Sequence, residues 1–502
     1  MTDSSLKLKT ARSLKWNLID RVSTQILYAI TGIVLARELS QEDFGLVGAI
    51  LVFQTFALLM VEGGLSYALI QRKDPTRLDY SSALWFNISM AAVIYAILFF
   101  AAPWISELFG ADDRLVALSR VMFLTFIINA SEIVQANRFI KQMNVRPIAI
   151  ANTASLTAGG IVGITLAVSG YGPWALVWQS ITLSSVKAIL LWAMSRWRPL
   201  LKFSVASIRS LFKVSAGMMF TSFLNTLFLN LYSFLIGNRV GLVALGYYTQ
   251  GDKWSKVCIM STGQVLSSSF LPVLSSVQDD NERFNRLTAK MNRLASYFVF
   301  PVFIGLIVEA PWIFNALFGN KWDGAVILFQ LLLVRGIFWV FTNLYTHYLV
   351  ALGHTGTIAR LEIIRDAVAI VGLVATFPVM GLSTPDYPTL GVALMLLGQI
   401  AAAIIAWALT LVYVHRHEAA RWSVLLGGYV PYLALSLCLG SLMYIAGHYF
   451  MPSLCQSLGS TLTIWLTMVV TAVIGLGGYL AVNGICGSKI QSDAIAYVRG
   501  KL

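Results

Sequence analysis

Charged side chains lie deep within several apolar stretches that are long enough to cross a bilayer. Arg335 lies some ten residues into one stretch, and Trp339, Thr342 and Asn343 follow it on about the same helical face. A charge at the bilayer centre costs about 2.5–3.5 kcal/mol on the insertion scale, so a charged residue there is expected to have a binding partner or a function. Arg335 is therefore either a fixed cation facing a wet cavity or the partner of a helix carboxylate such as Glu309. We favour the cavity.

A second group of charges lies near the middle of another apolar stretch. Asp252 and Lys256 are four residues apart and can pair on one helical face. Such a pair leaves Lys253 as a net positive charge. Lys253 is thus a candidate cargo-binding cation, while Lys256 is open between cargo binding and structural pairing.

Two further stretches carry candidate cations. Arg365 either faces the cavity or pairs with Glu362. Near the N-terminus, Asp20, Arg21 and Tyr28 fall on one helical face. Asp20 and Arg21 lie close to the end of their stretch, so they can also extend to the membrane surface.

Other polar positions, among them Glu132 and Asn225, form stripes that fit either a cavity wall or hydrogen bonds between helices. If the stripes face inward, the cavity has a net positive charge and suits an anionic cargo. A pyrophosphate with attached sugars meets this description, because Arg and Lys bind phosphate oxygens.

The elements that carry these residues are membrane helices. Of the 502 residues, 57% are hydrophobic and 12% are charged, whereas a soluble domain has about 25% charged residues. Apolar stretches of about 20 residues recur along the chain, as bilayer-spanning helices require. We predict an all-α polytopic membrane protein with about fourteen spans, at 16–36, 44–63, 82–103, 115–137, 148–168, 172–194, 210–236, 243–270, 294–316, 325–350, 357–377, 391–414, 424–447 and 460–483.

The loops between these spans alternate in charge. One set carries most of the Lys and Arg residues, as in 72–77 and 196–213, and the other set holds only Arg37, Arg114, Arg239 and Lys321. Because cytosolic loops collect basic residues, both termini are predicted to be cytosolic. The polar segment 276–293 carries Asp279 and Glu282 at capping-box spacing, which indicates a cytosolic helix between spans eight and nine.

An internal repeat divides the spans. Ala102-Pro103-Trp104-Ile105 precedes Leu108-Phe109-Gly110, and Ala310-Pro311-Trp312-Ile313 precedes Leu317-Phe318-Gly319 six spans later. A weaker echo relates Phe44-Gly45 to Leu245-Gly246. An even number of spans gives both copies one orientation, as in transporters with two rocking halves. We predict lobes at 1–200 and 201–420 related by a pseudo-two-fold axis, with two extra helices and a cytosolic tail at 421–502.

The run Leu35-Ala36-Arg37-Glu38-Leu39-Ser40-Gln41-Glu42-Asp43-Phe44-Gly45 resembles the signature of Wzx-type polysaccharide flippases. More narrowly it is similar to the colanic-acid exporter, or WzxC-like, branch. This resemblance implies membership of the multidrug/oligosaccharidyl-lipid/polysaccharide (MOP) exporter superfamily. It also implies alternating access and an undecaprenyl-pyrophosphate-linked repeat unit, carried from the cytosolic to the periplasmic leaflet of the bacterial inner membrane.

The resemblance implies no cofactor and no enzymatic activity. It does imply coupling to a proton or sodium gradient, for which Asp20, Glu132 and Asp252 are the candidate carboxylates. The expected partners are the lipid-linked glycan, the bilayer and polysaccharide polymerase machinery, with no nucleic acid. Surface polysaccharides such as O-antigen, exopolysaccharide or capsule would be the products.

Rival functions make different demands on the sequence. A polysaccharide polymerase or ligase characteristically carries a large external loop, and every predicted external loop is short. A drug/cation antiporter of the same superfamily would prefer acidic residues at mid-membrane, where this chain is basic. An ATP-driven exporter would carry a G-x-x-x-x-G-K-[ST] loop, which the sequence lacks. A structural scaffold would leave Arg335 unexplained.

Overall fold

The computed structural model describes residues 3–62, 64–110, 112–275, 277, 280–352, 355–384, 387–417, 422–451, 460–488 and 490–492. Their regular structure is helical, as the sequence predicts, because a chain in lipid has to satisfy its backbone hydrogen bonds internally. The chain divides into two compact units, residues 1–246 and 247–502. The lobe boundaries at residues 200 and 420 were predicted from the internal repeat, which assigns six whole spans to each lobe. These boundaries stay a prediction.

The described residues of the first unit form nine helices and the start of a tenth. They are α1 (Asp3–Glu38), α2 (Gln41–Glu62), α3 (Leu65–Gln71), α4 (Arg77–Leu108), α5 (Asp113–Met122), α6 (Thr125–Lys141), α7 (Arg146–Val168), α8 (Trp174–Met194), α9 (Val205–Arg239) and α10 (Leu242–Ser275). Helix α7 packs along α1 and α8, and α6 packs along α4 and α8. Polar side chains of α6 therefore face other helices.

The second unit continues from α10. It contains α11 (Asn281–Phe318), α12 (Asp323–Ala351), α13 (Thr355–Thr376), α14 (Leu390–His417), α15 (Trp422–Leu426), α16 (Tyr429–Ile445) and α17 (Ser460–Ile485). A π-helical turn, Ala446–Phe450, extends α16. Helix α14 packs against α12 and α13, whereas α11 packs against α12, α16 and α17.

Thirteen helical segments of the described chain are long and apolar enough to cross a membrane. They coincide with thirteen of the predicted spans. The eighth predicted span is α10, a helix of 34 residues. It is not among the thirteen segments, and its N-terminal half carries Asp252, Lys253 and Lys256.

Two helix boundaries differ from the predicted ones. The predicted span 115–137 is broken at Phe123–Leu124 into α5 and α6, although neither Pro nor Gly occurs there. The predicted joining helix at 276–293 is not separate: α11 runs from Asn281 to Phe318. Asp279 lies outside the described residues, and Asp280 caps the helix by accepting a hydrogen bond from the Arg283 backbone N–H at 2.9 Å.

The run that resembles the flippase signature forms the end of α1, a short connection at Leu39 and Ser40, and the first turn of α2. The Asp43 carboxylate accepts hydrogen bonds from the Ser40 backbone N–H and hydroxyl at 2.9 and 2.8 Å, and the Ser40 hydroxyl accepts from the Asp43 backbone N–H at 3.2 Å. This is a reciprocal cap of the α2 N-terminus. Glu42 forms an ion pair with Arg114 in the first turn of α5.

In the weaker repeat, the glycine of each copy lies against the backbone of the other copy. A Cβ added at Gly45 would overlap the carbonyl oxygen of Leu242, and one added at Gly246 would overlap the carbonyl oxygen of Gln41. Gln41 is four residues before Gly45, and Leu242 is four residues before Gly246. The two copies therefore cross symmetrically, and both crossing points lack room for a side chain. Small residues permit such close backbone approach between membrane helices.

We expect Gly45→Ala and Gly246→Ala each to destabilise the protein by about 1–3 kcal/mol, because a methyl group would overlap backbone that has no alternative position. Gly217→Ala is the control, since a Cβ at this α9 glycine meets nothing within 4 Å. That variant should be neutral or more stable, as alanine favours helix. Thermal unfolding of detergent-solubilised protein checks this; equal melting temperatures for the three variants would contradict it.

Candidate functional site

Helix α12 carries the central candidate residue, Arg335. At 1.5 Å per residue, Arg335 lies roughly 18 Å from the first residue of α12 and roughly 24 Å from the last. Its side chain is half-buried. The helix is fixed at its C-terminal half, where the Tyr348 hydroxyl donates to Asn292 Oδ1 of α11 at 2.7 Å and the Tyr345 and Tyr429 hydroxyls are 2.5 Å apart. These hydrogen bonds set the rotation of α12.

Arg335 is held by an amide and not by a carboxylate. Its guanidinium donates to Gln399 Oε1 on α14 at 2.6 Å. Within the described part of the chain, no carboxylate oxygen lies within 4.0 Å of the guanidinium nitrogens, so the alternative pairing with Glu309 is absent. A neutral amide orients the guanidinium and leaves its positive charge uncompensated. Arg335 therefore retains the capacity to bind an anion.

The polar face that follows Arg335 meets α13 and α14. Thr342 and Thr346 of α12 line a small cavity together with Glu362, Arg365 and Thr410. We call Arg335, Gln399 and these cavity residues the polar tract of the second unit. The predicted stripe on α12 and the predicted cation of α13 thus belong to one region. Asn343 lies half-buried on the same helix.

The ion pair of Arg365 differs from the predicted one. Its Nε donates to Asp366 Oδ1 at 3.2 Å, and no ion pair with Glu362 is present. The side chain of Glu362 is exposed, whereas those of Arg365 and Asp366 are about one-third exposed. The guanidinium remains with the less exposed carboxylate, where their attraction is less screened by solvent.

Helix α10 confirms one predicted pairing. Lys256 Nζ lies 2.5 Å from Asp252 Oδ2, four residues apart on one face. The Nζ of Lys253 lies 5.4 Å from the centre of the Trp254 ring, which is cation–π distance. Lys256 is thus in a structural pair, and Lys253 stays the candidate cation of this helix.

In the first unit the predicted polar face of α1 contacts α7 through Asp20. Asn152 of α7 donates to both carboxylate oxygens of Asp20 at 3.2 Å. The side chains of Arg21 and Tyr28 are exposed. That of Asn225 lies outside the described part of the chain.

Glu132 forms a buried ion pair that the sequence did not indicate. Lys187 Nζ of α8 lies 2.7 Å from Glu132 Oε1 of α6, and the Glu132 side chain is 7% exposed. One turn further along α6, Gln135 is fully buried and both its amide atoms are without a hydrogen-bond partner among the described residues. Lys187 was missed because it lies alone in an apolar stretch with no partner nearby in sequence.

Glu309 is the buried carboxylate that remains unpaired. It is 5% exposed, and neither carboxylate oxygen has a hydrogen-bond partner within the described chain. The Thr471 hydroxyl on α17 donates instead to the Thr467 carbonyl at 2.6 Å. An ionised carboxylate without a partner is costly in such surroundings. The candidate coupling residues Asp20, Glu132 and Asp252 all have partners; their role stays a prediction.

Solved structures define the class of protein. The fold is similar to that of a lipid II flippase, MurJ, in an inward closed conformation, with a TM-score of 0.67 over 94% of this chain and 98% of that chain at 15% identity. An inward-facing multidrug resistance MATE family transporter of the MOP superfamily matches with a TM-score of 0.58, over 79% and 98% of the two chains at 14% identity. The chain therefore has the same helical fold as these two membrane proteins.

Sequence relatives define the family. Residues 34–327 match the family described as polysaccharide biosynthesis protein, so the chain belongs to this family. The succinoglycan biosynthesis transport protein ExoT of Rhizobium meliloti is 26% identical over 75% of this chain and 76% of its own length. The lipopolysaccharide biosynthesis protein WzxC of Escherichia coli and the teichuronic acid biosynthesis protein TuaB of Bacillus subtilis are each 26% identical over 66% of this chain and 68% of theirs.

These findings confirm the Wzx-type resemblance and the all-helical fold. The chain is a multi-pass membrane protein of a transport family that serves polysaccharide biosynthesis, and it does not belong to an enzyme family.

The buried ion pair in the first unit permits a test of its role. We expect Lys187→Met to destabilise the protein on the order of 2 kcal/mol, because it leaves Glu132 charged, buried and unpaired. The double variant Glu132→Leu/Lys187→Met should be close to the wild type in stability, since both charges are removed together.

Thermal unfolding in detergent measures the difference between these variants. Lys256→Met serves as control: the Lys256 side chain is 43% exposed, so its loss should cost less than about 1 kcal/mol. If the double variant were as unstable as Lys187→Met, the penalty would not come from an unpaired Glu132.

Proposed function

We propose that this protein translocates an undecaprenyl-pyrophosphate-linked oligosaccharide repeat unit from the cytosolic to the periplasmic leaflet by alternating access. The repeat unit would be used to build a surface polysaccharide such as O-antigen, exopolysaccharide or capsule. Family membership and the three named relatives support the role in polysaccharide biosynthesis. The similarity in fold to a lipid II flippase supports a lipid-linked cargo.

The observation that carries the proposal is Arg335 in the middle of α12, oriented by Gln399 and without a carboxylate partner in the described chain. A fixed guanidinium of this kind forms strong, bidentate hydrogen bonds with phosphate oxygens. Around the small cavity of the polar tract, three threonine hydroxyls keep their acceptor lone pairs, which adds to the polar character of this region. A drug/cation antiporter would place a carboxylate where this protein has Arg335.

Arg335→Ala should abolish polysaccharide export while the protein remains in the membrane at its normal level, because the cargo phosphates lose their fixed cation. Export is measured as surface polysaccharide in a strain that lacks the chromosomal copy. Arg335→Lys should retain partial export, because the charge is kept and the bidentate geometry is lost.

Arg360→Ala removes the same charge from an exposed position on α13 and should export normally. Purified variants in liposomes with a fluorescent undecaprenyl-pyrophosphate glycan separate translocation from later steps of synthesis. Unchanged translocation by Arg335→Ala would refute the proposed role of this cation.

The direction of transport requires both termini in the cytosol, and exposed loop residues allow this orientation to be tested. Tyr171 lies between α7 and α8 on the predicted periplasmic side, and Asp74 lies between α3 and α4 on the predicted cytosolic side; both are exposed. In a cysteine-free background, Tyr171→Cys should react with a membrane-impermeant maleimide in whole cells. Asp74→Cys should react only after permeabilisation; the opposite pattern would invert the topology.

A further inference from the structure

A large basic pocket lies in the first unit, and none of its lining residues is among those assigned to cargo binding. It has a volume of about 590 Å³ and is formed where α4 begins and where α6 and α8 end. Four arginines line it: Arg77, Arg138, Arg196 and Arg198. All four lie at helix ends or in a connector on the side that the charge distribution predicts to be cytosolic.

Three of the four guanidinium groups are oriented by neighbouring groups. Arg77 donates through Nε and a terminal nitrogen to the Arg198 carbonyl at 3.1 and 3.0 Å, and Arg198 donates to the Ser195 carbonyl at 2.9 Å. Arg138 donates to the Ser195 hydroxyl at 3.2 Å, and its guanidinium carbon lies 5.0 Å from the centre of the Trp197 ring. Each guanidinium has five N–H donors, so these bonds leave most donors available.

The pocket has no negative charge to balance these cations. Across the described chain, none of the four arginines forms an ion pair with a carboxylate. The buried carboxylate nearest in sequence, Asp79, is engaged by the Thr76 backbone N–H and hydroxyl at 2.9 Å and by Arg72 at 3.4 Å. Four like charges that line one pocket repel each other, and a bound anion would relieve that repulsion.

The connector that carries Arg196 and Arg198 continues into residues typical of a membrane surface. Leu201 is 90% exposed and Phe203 is 52% exposed, with Lys202 between them. Exposed apolar side chains interleaved with basic ones occur at the boundary between lipid head groups and acyl chains. The pocket therefore lies beside a segment suited to that depth, where phosphate groups of lipids are concentrated.

We propose that this pocket binds the phosphate of an anionic phospholipid head group from the surrounding cytosolic leaflet. Basic pockets between membrane helices on the cytosolic side are suited to such head groups. The arginine donors would hold the phosphate oxygens, while the acyl chains would lie along Leu201 and Phe203. This site is independent of the cargo function proposed for Arg335.

The test compares Arg196→Gln with Arg209→Gln in the full-length protein. Arg196 is exposed and hydrogen-bonds to no described residue, so its replacement should not disturb the fold. Arg209 on α9 is likewise exposed and belongs to the same predicted side, but it does not line the pocket. Native mass spectrometry measures retained lipid after purification from nanodiscs of phosphatidylglycerol or of phosphatidylcholine.

We expect the wild type and Arg209→Gln to retain phosphatidylglycerol in preference to phosphatidylcholine, and Arg196→Gln to bind it about fivefold more weakly. Two further arms, inorganic phosphate and undecaprenyl pyrophosphate, distinguish the sources of the phosphate. Equal phosphatidylglycerol retention by Arg196→Gln and Arg209→Gln would overturn the proposal. So would tighter, Arg196-dependent binding of inorganic phosphate or of undecaprenyl pyrophosphate than of phosphatidylglycerol.

Discussion

A charged or polar side chain in an apolar bilayer has to be hydrogen-bonded by protein or solvated by water, and this requirement organises the described structure. In the first unit, Lys187 neutralises the buried Glu132 across α6 and α8. In the second, Asp252 and Lys256 pair within α10. Because these charges are balanced locally, they fix helix packing and contribute little net charge. The residues of interest for cargo are those where the balance is incomplete.

The charge of Arg335 is not balanced by a carboxylate in the described chain, and its surroundings explain how its side chain can be ordered and still able to bind an anion. Gln399 orients the guanidinium without neutralising it, and the tyrosine hydrogen bonds of Tyr345 and Tyr348 fix the helix that carries it. A preorganised cation binds an anion with less loss of side-chain entropy than a flexible one. In the four-arginine pocket of the first unit, guanidinium groups are also oriented by neutral groups. There the orienting groups are aromatic rings and backbone carbonyls, whereas Arg335 is oriented by the Gln399 amide.

The run that carries the family resemblance is structural within the described chain. Ser40 and Asp43 cap α2, Glu42 pairs with Arg114, and Gly45 permits the close crossing with Leu242. Four residues of the signature, Ser40, Glu42, Asp43 and Gly45, thus have structural roles where α1 meets α2. The resemblance identifies the architecture, and the cargo has to be argued from Arg335 and the polar tract.

The sequence alone was sufficient for the membrane class, the helical fold and nearly all spans, because length and apolarity are local properties. It also predicted the Asp252–Lys256 pair, since four residues on one helix suffice to bring two charges together. It could not identify Gln399 or Lys187, which lie far along the chain from Arg335 and Glu132 and meet them only when helices pack. The partner of Arg365 and the break at Phe123–Leu124 were likewise visible only in the structure, because both Glu362 and Asp366 lie within three residues of Arg365 and neither Pro nor Gly marks the break.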